Sequence, residues 1–299
     1  MKKGGAKYMA QYEIYTDATI DLPPEIVEDI GIKVIPMDFE MNGKAYSHYP
    51  DERELDSKKF YKLLQEGEMV TTTQITPSRF IEYFTPTLEK GKDILYIGFS
   101  SGLSGTYGSS KVAIQSLKEK YPDRTIMSVD SLCASSGEGL LVYLASKEKE
   151  KGKSLEELYN WVEENRLNIC HWYKVDDLFH LKRGGRISSV AATFGTALNI
   201  KPLMNMNNSG KLQLVEKLRG TKTCNHHMIN KLKESYLPDK YDTIIISHAD
   251  CEDEALVLEK MLKKECEAGE IIHSKIGPVI GAHSGKGTLL INFYGKQRG

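Results

Sequence analysis

The chain has 299 residues, enough for about two domains, and 40% of them are hydrophobic while 27% are charged. This composition excludes a disordered chain and a collagen-like architecture. Forty Lys and Arg residues against 41 Asp and Glu residues leave a net charge of -1, and a protein that binds nucleic acid by charge is expected to be far more basic.

The sequence also predicts the compartment. No apolar run approaches the roughly 20 residues that span a bilayer, and the basic start lacks the apolar core of a signal peptide. The five cysteines are widely spaced and form no Cys-x-x-Cys pair, which argues against a disulfide framework and a zinc ribbon. We therefore expect a cytoplasmic protein with reduced thiols and no metal site.

Strands and helices alternate in the first half of the sequence. Strands are predicted at residues 12–16, 33–39, 94–99 and 125–130. Helices are predicted to begin after Pro23, Asp56, Thr76, Gly105 and Ser154, and at about Glu138. Residues 46–54 and 71–74 are predicted to be irregular. The strand–helix–strand series indicates a parallel sheet with right-handed crossovers.

The pattern changes near residue 168. A strand at 168–173 and a helix of small residues at 188–198 precede a hairpin whose strands span 200–206 and 212–218. Helices at 221–236 and 252–268 and strands at 243–248, 271–276 and 288–293 follow. We therefore predict an α/β protein with a parallel-sheet N-terminal domain (1–168) and a smaller, mixed-sheet C-terminal domain (169–299).

One motif suggests a serine hydrolase. The segment Gly98-Phe99-Ser100-Ser101-Gly102 has the Gly-x-Ser-x-Gly pattern between a predicted strand and a helix, the context that a nucleophile elbow requires. Asp250 and His283 complete the chain order Ser, Asp, His. A tight strand-to-helix turn also recruits Gly and Ser, and no His-Gly-Gly-Gly-type oxyanion loop precedes it. A hydrolase using Ser100 is therefore the alternative function.

Two hydroxyl-rich loops suggest an anion site. Residues 71–74 and 100–107 both lead into predicted helices, where backbone N–H groups and hydroxyls can hold a carboxylate or a phosphate; ordinary capping explains them equally well. His283, in a Gly-lined segment, either lies over a pocket or is structural. Arg186 follows Gly184-Gly185 and is expected to face solvent, either toward an acidic partner or in a plain surface turn.

Five segments together resemble the DegV family, the fatty acid-binding proteins of bacteria. The resemblance covers nearly the whole chain. The segments are residues 16–23, 72–76, 100–107, 177–188 and 276–283. The sequence departs from the family pattern where Thr73 and Ile75 replace Ser and Pro, and where Ser284-Gly285-Lys286-Gly287 replaces Thr-Gly-Pro-Gly.

The resemblance implies two α/β domains with a long acyl chain buried between them. It implies that Thr72 and Ser104 bind the fatty acid carboxylate, with Ser101 and His283 nearby. It makes Arg186 a partner-facing arginine and Arg219 a second arginine near the site. Some members of the family present the carboxylate to a separate fatty acid kinase subunit, so the resemblance implies no catalytic residue and no cofactor in this chain.

Overall fold

The computed structural model describes residues 11–176, 178–188 and 199–298. The first part of the chain forms β1 (Tyr12–Asp17), α1 (Pro24–Asp29), β2 (Lys33–Ile35), β3 (Met37–Met41), β4 (Lys44–His48), α2 (Ser57–Gln65), β5 (Val70–Thr72), α3 (Pro77–Glu89), β6 (Asp93–Gly98), α4 (Thr106–Lys120), β7 (Ile126–Asp130), α5 (Ser136–Glu150) and α6 (Leu155–Asn165). The second part forms β8 (Ile169–Lys174), α7 (Phe179–Arg183), β9 (Ile200–Met206), β10 (Leu212–Arg219), α8 (Thr221–Ser235), β11 (Ile244–His248), α9 (Glu252–Glu265), β12 (Ile271–Lys275), α10 (Pro278–Ser284) and β13 (Leu289–Tyr294). Of the helix predicted at 188–198, residues 189–198 lie outside the described ranges.

The strands form three sheets. A four-stranded parallel sheet has the order β2-β1-β6-β7, and a six-stranded mixed sheet has the order β10-β9-β8-β13-β11-β12. The strands of the parallel sheet all precede residue 168, and those of the mixed sheet all follow it. Both predicted sheet types are therefore present, which confirms the α/β fold class.

The third sheet, β4-β3-β5, was not predicted from the sequence. The single strand expected at 33–39 is two strands, because Pro36 lies between them and has no N–H to continue a ladder. The loops expected at 46–54 and 71–74 begin within β4 and β5, which pair with β3 on its two sides. This small antiparallel sheet carries Thr72 at its end.

Helix α5 joins the two larger sheets. Its apolar residues share one core cluster with Ile97 and Val129 of the parallel sheet and with Ile169 and Ile245 of the mixed sheet. Most of α5 is buried, including the side chain of Glu138. A helix that is buried on nearly all sides is typical of a position between two layers.

Buried carboxyl groups lie where β1 ends. Asp17 accepts hydrogen bonds from the Tyr96 hydroxyl (2.9 Å) and the Phe99 backbone N–H (3.1 Å), and Thr19 donates to Glu138 (2.9 Å). Burial raises the pKa of Asp17 and raises that of Glu138 well above its ordinary value. Neutral donors rather than cations satisfy this cluster.

Asp21 connects three parts of the fold. Its carboxyl group accepts hydrogen bonds from the Ser135 hydroxyl (2.5 Å), which precedes α5, and from the Gly277 N–H (2.8 Å), which precedes α10. Its backbone carbonyl accepts from the Ser274 hydroxyl. Burial raises the pKa of Asp21 to about 7.

We expect the Asp21→Asn variant to become more stable relative to the wild type as the pH rises from about 4 to about 7. Since the pKa of Asp21 is raised from 3.8 to about 7, the folded protein keeps a proton that the unfolded chain has lost in this interval. Wild-type stability therefore falls with rising pH at this residue, whereas Asn does not titrate. Urea unfolding of both proteins across this interval measures the difference, and a pH-independent difference would contradict the prediction.

Candidate functional site

A cavity of ≈ 260 Å³, called here the central cavity, lies between residues from both parts of the chain. One group of its lining residues carries hydroxyl, imidazole and guanidinium groups: Thr72, Ser104, Arg186 and His283. Another group is apolar: Met37, Leu103, Met206, Val279 and Leu290. An amphipathic molecule with a small polar head matches this division of the wall.

Thr72 and His283 meet across the two parts of the chain. The Thr72 hydroxyl lies 2.8 Å from Nε2 of His283, which belongs to α10, a helix that the sequence analysis did not predict. The Tyr61 hydroxyl donates to the Ile276 carbonyl (2.8 Å) just before this helix. A Cβ at Gly281 would overlap Tyr61, so the close approach of α10 to α2 requires glycine there.

His283 is neutral at neutral pH. Burial, followed by the positive charges of Arg186, Arg183 and His180, lowers its pKa to about 4. The ring therefore provides a neutral hydrogen-bonding group beside the Thr72 hydroxyl.

The two hydroxyl-rich loops lie side by side. The Ser104 hydroxyl is 3.0 Å from that of Thr106 at the start of α4, and the Ile75 N–H donates to the Thr106 hydroxyl (3.3 Å). The Gln74 side chain packs against Gly105, and a Cβ atom on residue 105 would clash with it. The structure thus brings Thr72, from one loop, and Ser104, from the other, to the same cavity.

Two predicted site residues lie elsewhere. Ser101 is exposed, and its backbone N–H donates to Asp130 (3.1 Å); it is outside the lining of the central cavity. Arg219 is exposed at the end of β10 and is also outside that lining.

Arg186 is only partly exposed, whereas the sequence predicted a solvent-facing side chain. Gly185 is exposed in a left-handed turn (φ 71°), but Arg186 folds back and is half-buried in the cavity wall. Its Nε donates to the Leu103 carbonyl (3.2 Å) and its Nη1 to the Gly184 carbonyl (2.5 Å). These two hydrogen bonds help to hold the guanidinium in the cavity wall, which Leu103 also lines.

Sequence reasoning missed His171 and Tyr173, which also line the central cavity. They occupy alternate positions of β8, so they lie on the same face of the mixed sheet. The alternate positions of His171 and Tyr173 are visible in the sequence, but they do not indicate what that face of the mixed sheet packs against.

Lys286 and Thr73, two residues at which the sequence departs from the family pattern, both have polar partners. Lys286 forms an ion pair with Asp250 (2.7 Å) and donates to the Gln65 side chain (2.9 Å), and it is outside the lining of the central cavity. Thr73 donates through its N–H to the Asp38 carbonyl (3.0 Å).

The structure does not assemble the hydrolase triad. Ser100 is buried, and its hydroxyl donates to the Gly210 carbonyl (2.7 Å) while accepting from the Gly102 N–H (3.2 Å). Asp250 pairs with Lys286 and His283 with Thr72. The Gly-x-Ser-x-Gly motif is a structural turn whose serine bonds the tip of the β9–β10 hairpin, and the hydrolase alternative is not supported.

We expect the Ser100→Ala variant to lose about 1–2 kcal/mol of unfolding free energy, because the Gly210 carbonyl loses a buried donor. A fluorophosphonate reagent, which labels activated serines, should leave Ser100 of the native wild type unmodified. Urea unfolding tests the first expectation and mass spectrometry the second. Stoichiometric labelling of Ser100 would restore the hydrolase alternative.

Two further searches bear on the site. Within residues 11–176, 178–188 and 199–298, no group of His, Cys, Asp and Glu side chains could hold a metal ion. The helices in these ranges include none that is long and apolar enough to cross a membrane.

The chain was compared with known families and proteins. The family model described as "Uncharacterised protein, DegV family" matches residues 11–296. A DegV domain-containing protein of Clostridium perfringens is 42% identical over 290 residues, which cover 97% of this chain and 99% of the relative. One from Lactococcus lactis is 33% identical over 94% of this chain and 96% of its own length.

Solved structures give the same result. A DegV lipid-binding protein from Thermotoga maritima superposes with a TM-score of 0.83 at 28% identity, covering 97% of this chain and all of that one (100%). A fatty acid-binding DegV family protein from Thermus thermophilus has a TM-score of 0.84 at 27% identity, covering 95% and 99%. DegV of Bacillus subtilis, a fatty acid-binding protein, has a TM-score of 0.80 at 29% identity, covering 95% and 98%.

Proposed function

The chain belongs to the DegV family, and we propose that it binds a long-chain fatty acid in the central cavity, without chemistry of its own. The observation that carries this proposal is the grouping of Thr72, Ser104 and His283 around a cavity that also has an apolar wall. The DegV proteins of Bacillus subtilis and Thermus thermophilus, both described as fatty acid-binding, support it.

In this proposal the fatty acid carboxylate lies against Thr72, Ser104 and His283. Hydroxyl groups donate to carboxylate oxygens, and buried charge requires such partners. Arg186 adds positive potential at the same wall, but two of its N–H groups already donate to carbonyls. In this proposal the groups that contact the carboxylate are neutral, and Arg186 contributes its positive charge from the same wall.

The acyl tail supplies the affinity. A C16 chain carries about 14 methylenes, and burial at about 0.8 kcal/mol each amounts to roughly 11 kcal/mol before the costs of ordering and association. The polar head site then determines the position of the carboxylate and the specificity of binding, and it contributes less to the affinity for the fatty acid.

We expect the double variant Thr72→Ala, Ser104→Ala to bind palmitate more weakly by about 1–3 kcal/mol, because two donors to a buried carboxylate are removed. Ser101→Ala is the matched control: it removes a hydroxyl of the same loop that lies outside the cavity, and it should leave affinity unchanged. Fluorescence displacement measures the affinities, and circular dichroism checks the fold. Equal affinities for the double variant and the wild type would overturn the placement of the carboxylate.

The second part of the proposal is that the bound carboxylate is presented to a separate fatty acid kinase subunit. There a carboxylate oxygen attacks the γ-phosphorus of ATP, giving acyl phosphate and ADP. A head site of neutral hydroxyls suits this transfer, because an arginine clamp would hold the oxygens that must react. We place the transfer in the cytoplasm, where the five free cysteines also stay reduced.

We expect the Arg219→Glu variant to slow acyl-phosphate formation by an added kinase subunit and to weaken its salt dependence, because this exposed cation is offered to an acidic partner surface. Palmitate affinity should remain at the wild-type value, since Arg219 lies outside the central cavity. Arg186→Glu, in the cavity wall, is the comparison and should impair palmitate binding as well. Wild-type rates for Arg219→Glu would remove this residue from the partner surface.

A further inference from the structure

The hydroxyl of Tyr173 is a buried polar atom without a partner in the wall of the central cavity. The residue is 6% exposed, and its hydroxyl makes no hydrogen bond to any residue that the structure describes. Its register partners on the neighbouring strands are Met204 of β9 and Leu290 of β13, and all three belong to one apolar core cluster. The neighbours of Tyr173 on the two adjacent strands are therefore apolar and offer its hydroxyl no side-chain acceptor.

Such a hydroxyl has an energetic consequence. A buried donor without an acceptor destabilises the protein, and Phe would provide the same ring without that cost. A second hydroxyl of the same wall, that of Ser284, also has no partner within the described ranges. Unpartnered hydroxyls are not general here, because the Thr288 hydroxyl bonds the carbonyls of Ser284 (3.0 Å) and Gly285 (2.9 Å).

The surroundings of Tyr173 indicate what its partner is. Burial alone raises the pKa of Tyr173, with no contribution from a charged side chain, so the phenol stays protonated and acts as a donor. In the proposed function the carboxylate lies against Thr72, Ser104 and His283, so the partner of Tyr173 is sought in another oxygen of the ligand. The acceptor that fits a neutral donor in an apolar wall is a neutral oxygen.

We propose that the central cavity selects acyl chains that carry a hydroxyl group, and that Tyr173 is the residue that reads it by donating a hydrogen bond. The inference rests on the proposed fatty acid binding and names the substrate class within it. A site that offers a buried donor discriminates against the analogue that lacks the matching oxygen, because the donor then remains unpaired.

The test compares stearate with 3-, 10- and 12-hydroxystearate on the wild type, Tyr173→Phe and Tyr61→Phe, by displacement of a fluorescent fatty acid. The wild type should bind at least one hydroxystearate about five- to tenfold more tightly than stearate, the ratio expected for one net hydrogen bond. Tyr173→Phe should lose that preference while binding stearate at least as tightly as the wild type.

Tyr61→Phe is the matched control, because Tyr61 belongs to the same core cluster but its hydroxyl already donates to the Ile276 carbonyl. This variant should lose stability and keep the preference. The proposal is overturned if no hydroxystearate is preferred by the wild type, or if the preference survives in Tyr173→Phe. Absence of any stearate binding by the folded wild type is a separate result that overturns the proposed function itself.

Discussion

The geometry of the central cavity depends on the carboxyl group of Asp21. It accepts from Ser135 and from Gly277, so one side chain of the first part of the chain fixes the beginnings of both α5 and α10. Helix α10 in turn carries His283 to Thr72. Both bonds are buried, and losing either leaves a polar group unpaired at a cost of about 1–3 kcal/mol. The head site is thus a product of the packing between the two parts, and neither part forms it alone.

Burial gives the site its chemical character. It keeps His283 neutral and leaves Arg186 as a guanidinium that is already bonded to two carbonyls. A carboxylate that arrives at His283 acts on the imidazole in the direction opposite to the neighbouring cations, because it favours the protonated ring. In the proposed function a bound carboxylate would therefore oppose the effect of these cations on His283, whereas the hydroxyl donors of Thr72 and Ser104 carry no net charge.

The sequence predicted the helices and strands well, but it predicted poorly which of them contact one another. Period-2 and apolar patterns identified β6, β7 and the β9–β10 hairpin, because local side-chain alternation reports burial. Hydroxyls at loop–helix junctions marked the loops at 71–74 and 100–107, and the family resemblance singled out Thr72 and Ser104 within them. That both line one cavity depends on contacts between residues far apart in the chain. The same limit explains the solvent-facing prediction for Arg186: a glycine pair marks a surface turn, yet the next side chain can fold back onto a carbonyl.

Two departures from the family pattern, Ile75 and Lys286, lie outside the lining of the central cavity and act on its supports, whereas Thr73 and Ser284 belong to the lining itself. Ile75 is buried and donates its N–H to the side-chain hydroxyl of Thr106, a bond that Pro at this position cannot make, so here a backbone-to-side-chain hydrogen bond joins the two hydroxyl-rich loops. Lys286 adds a cation after α10, but its ammonium is held by Asp250 outside the cavity wall. The ion pair with Asp250 offsets the charge that Lys286 adds. Ile75 and Lys286 therefore contribute contacts that support the loop carrying Thr72 and the end of the helix carrying His283.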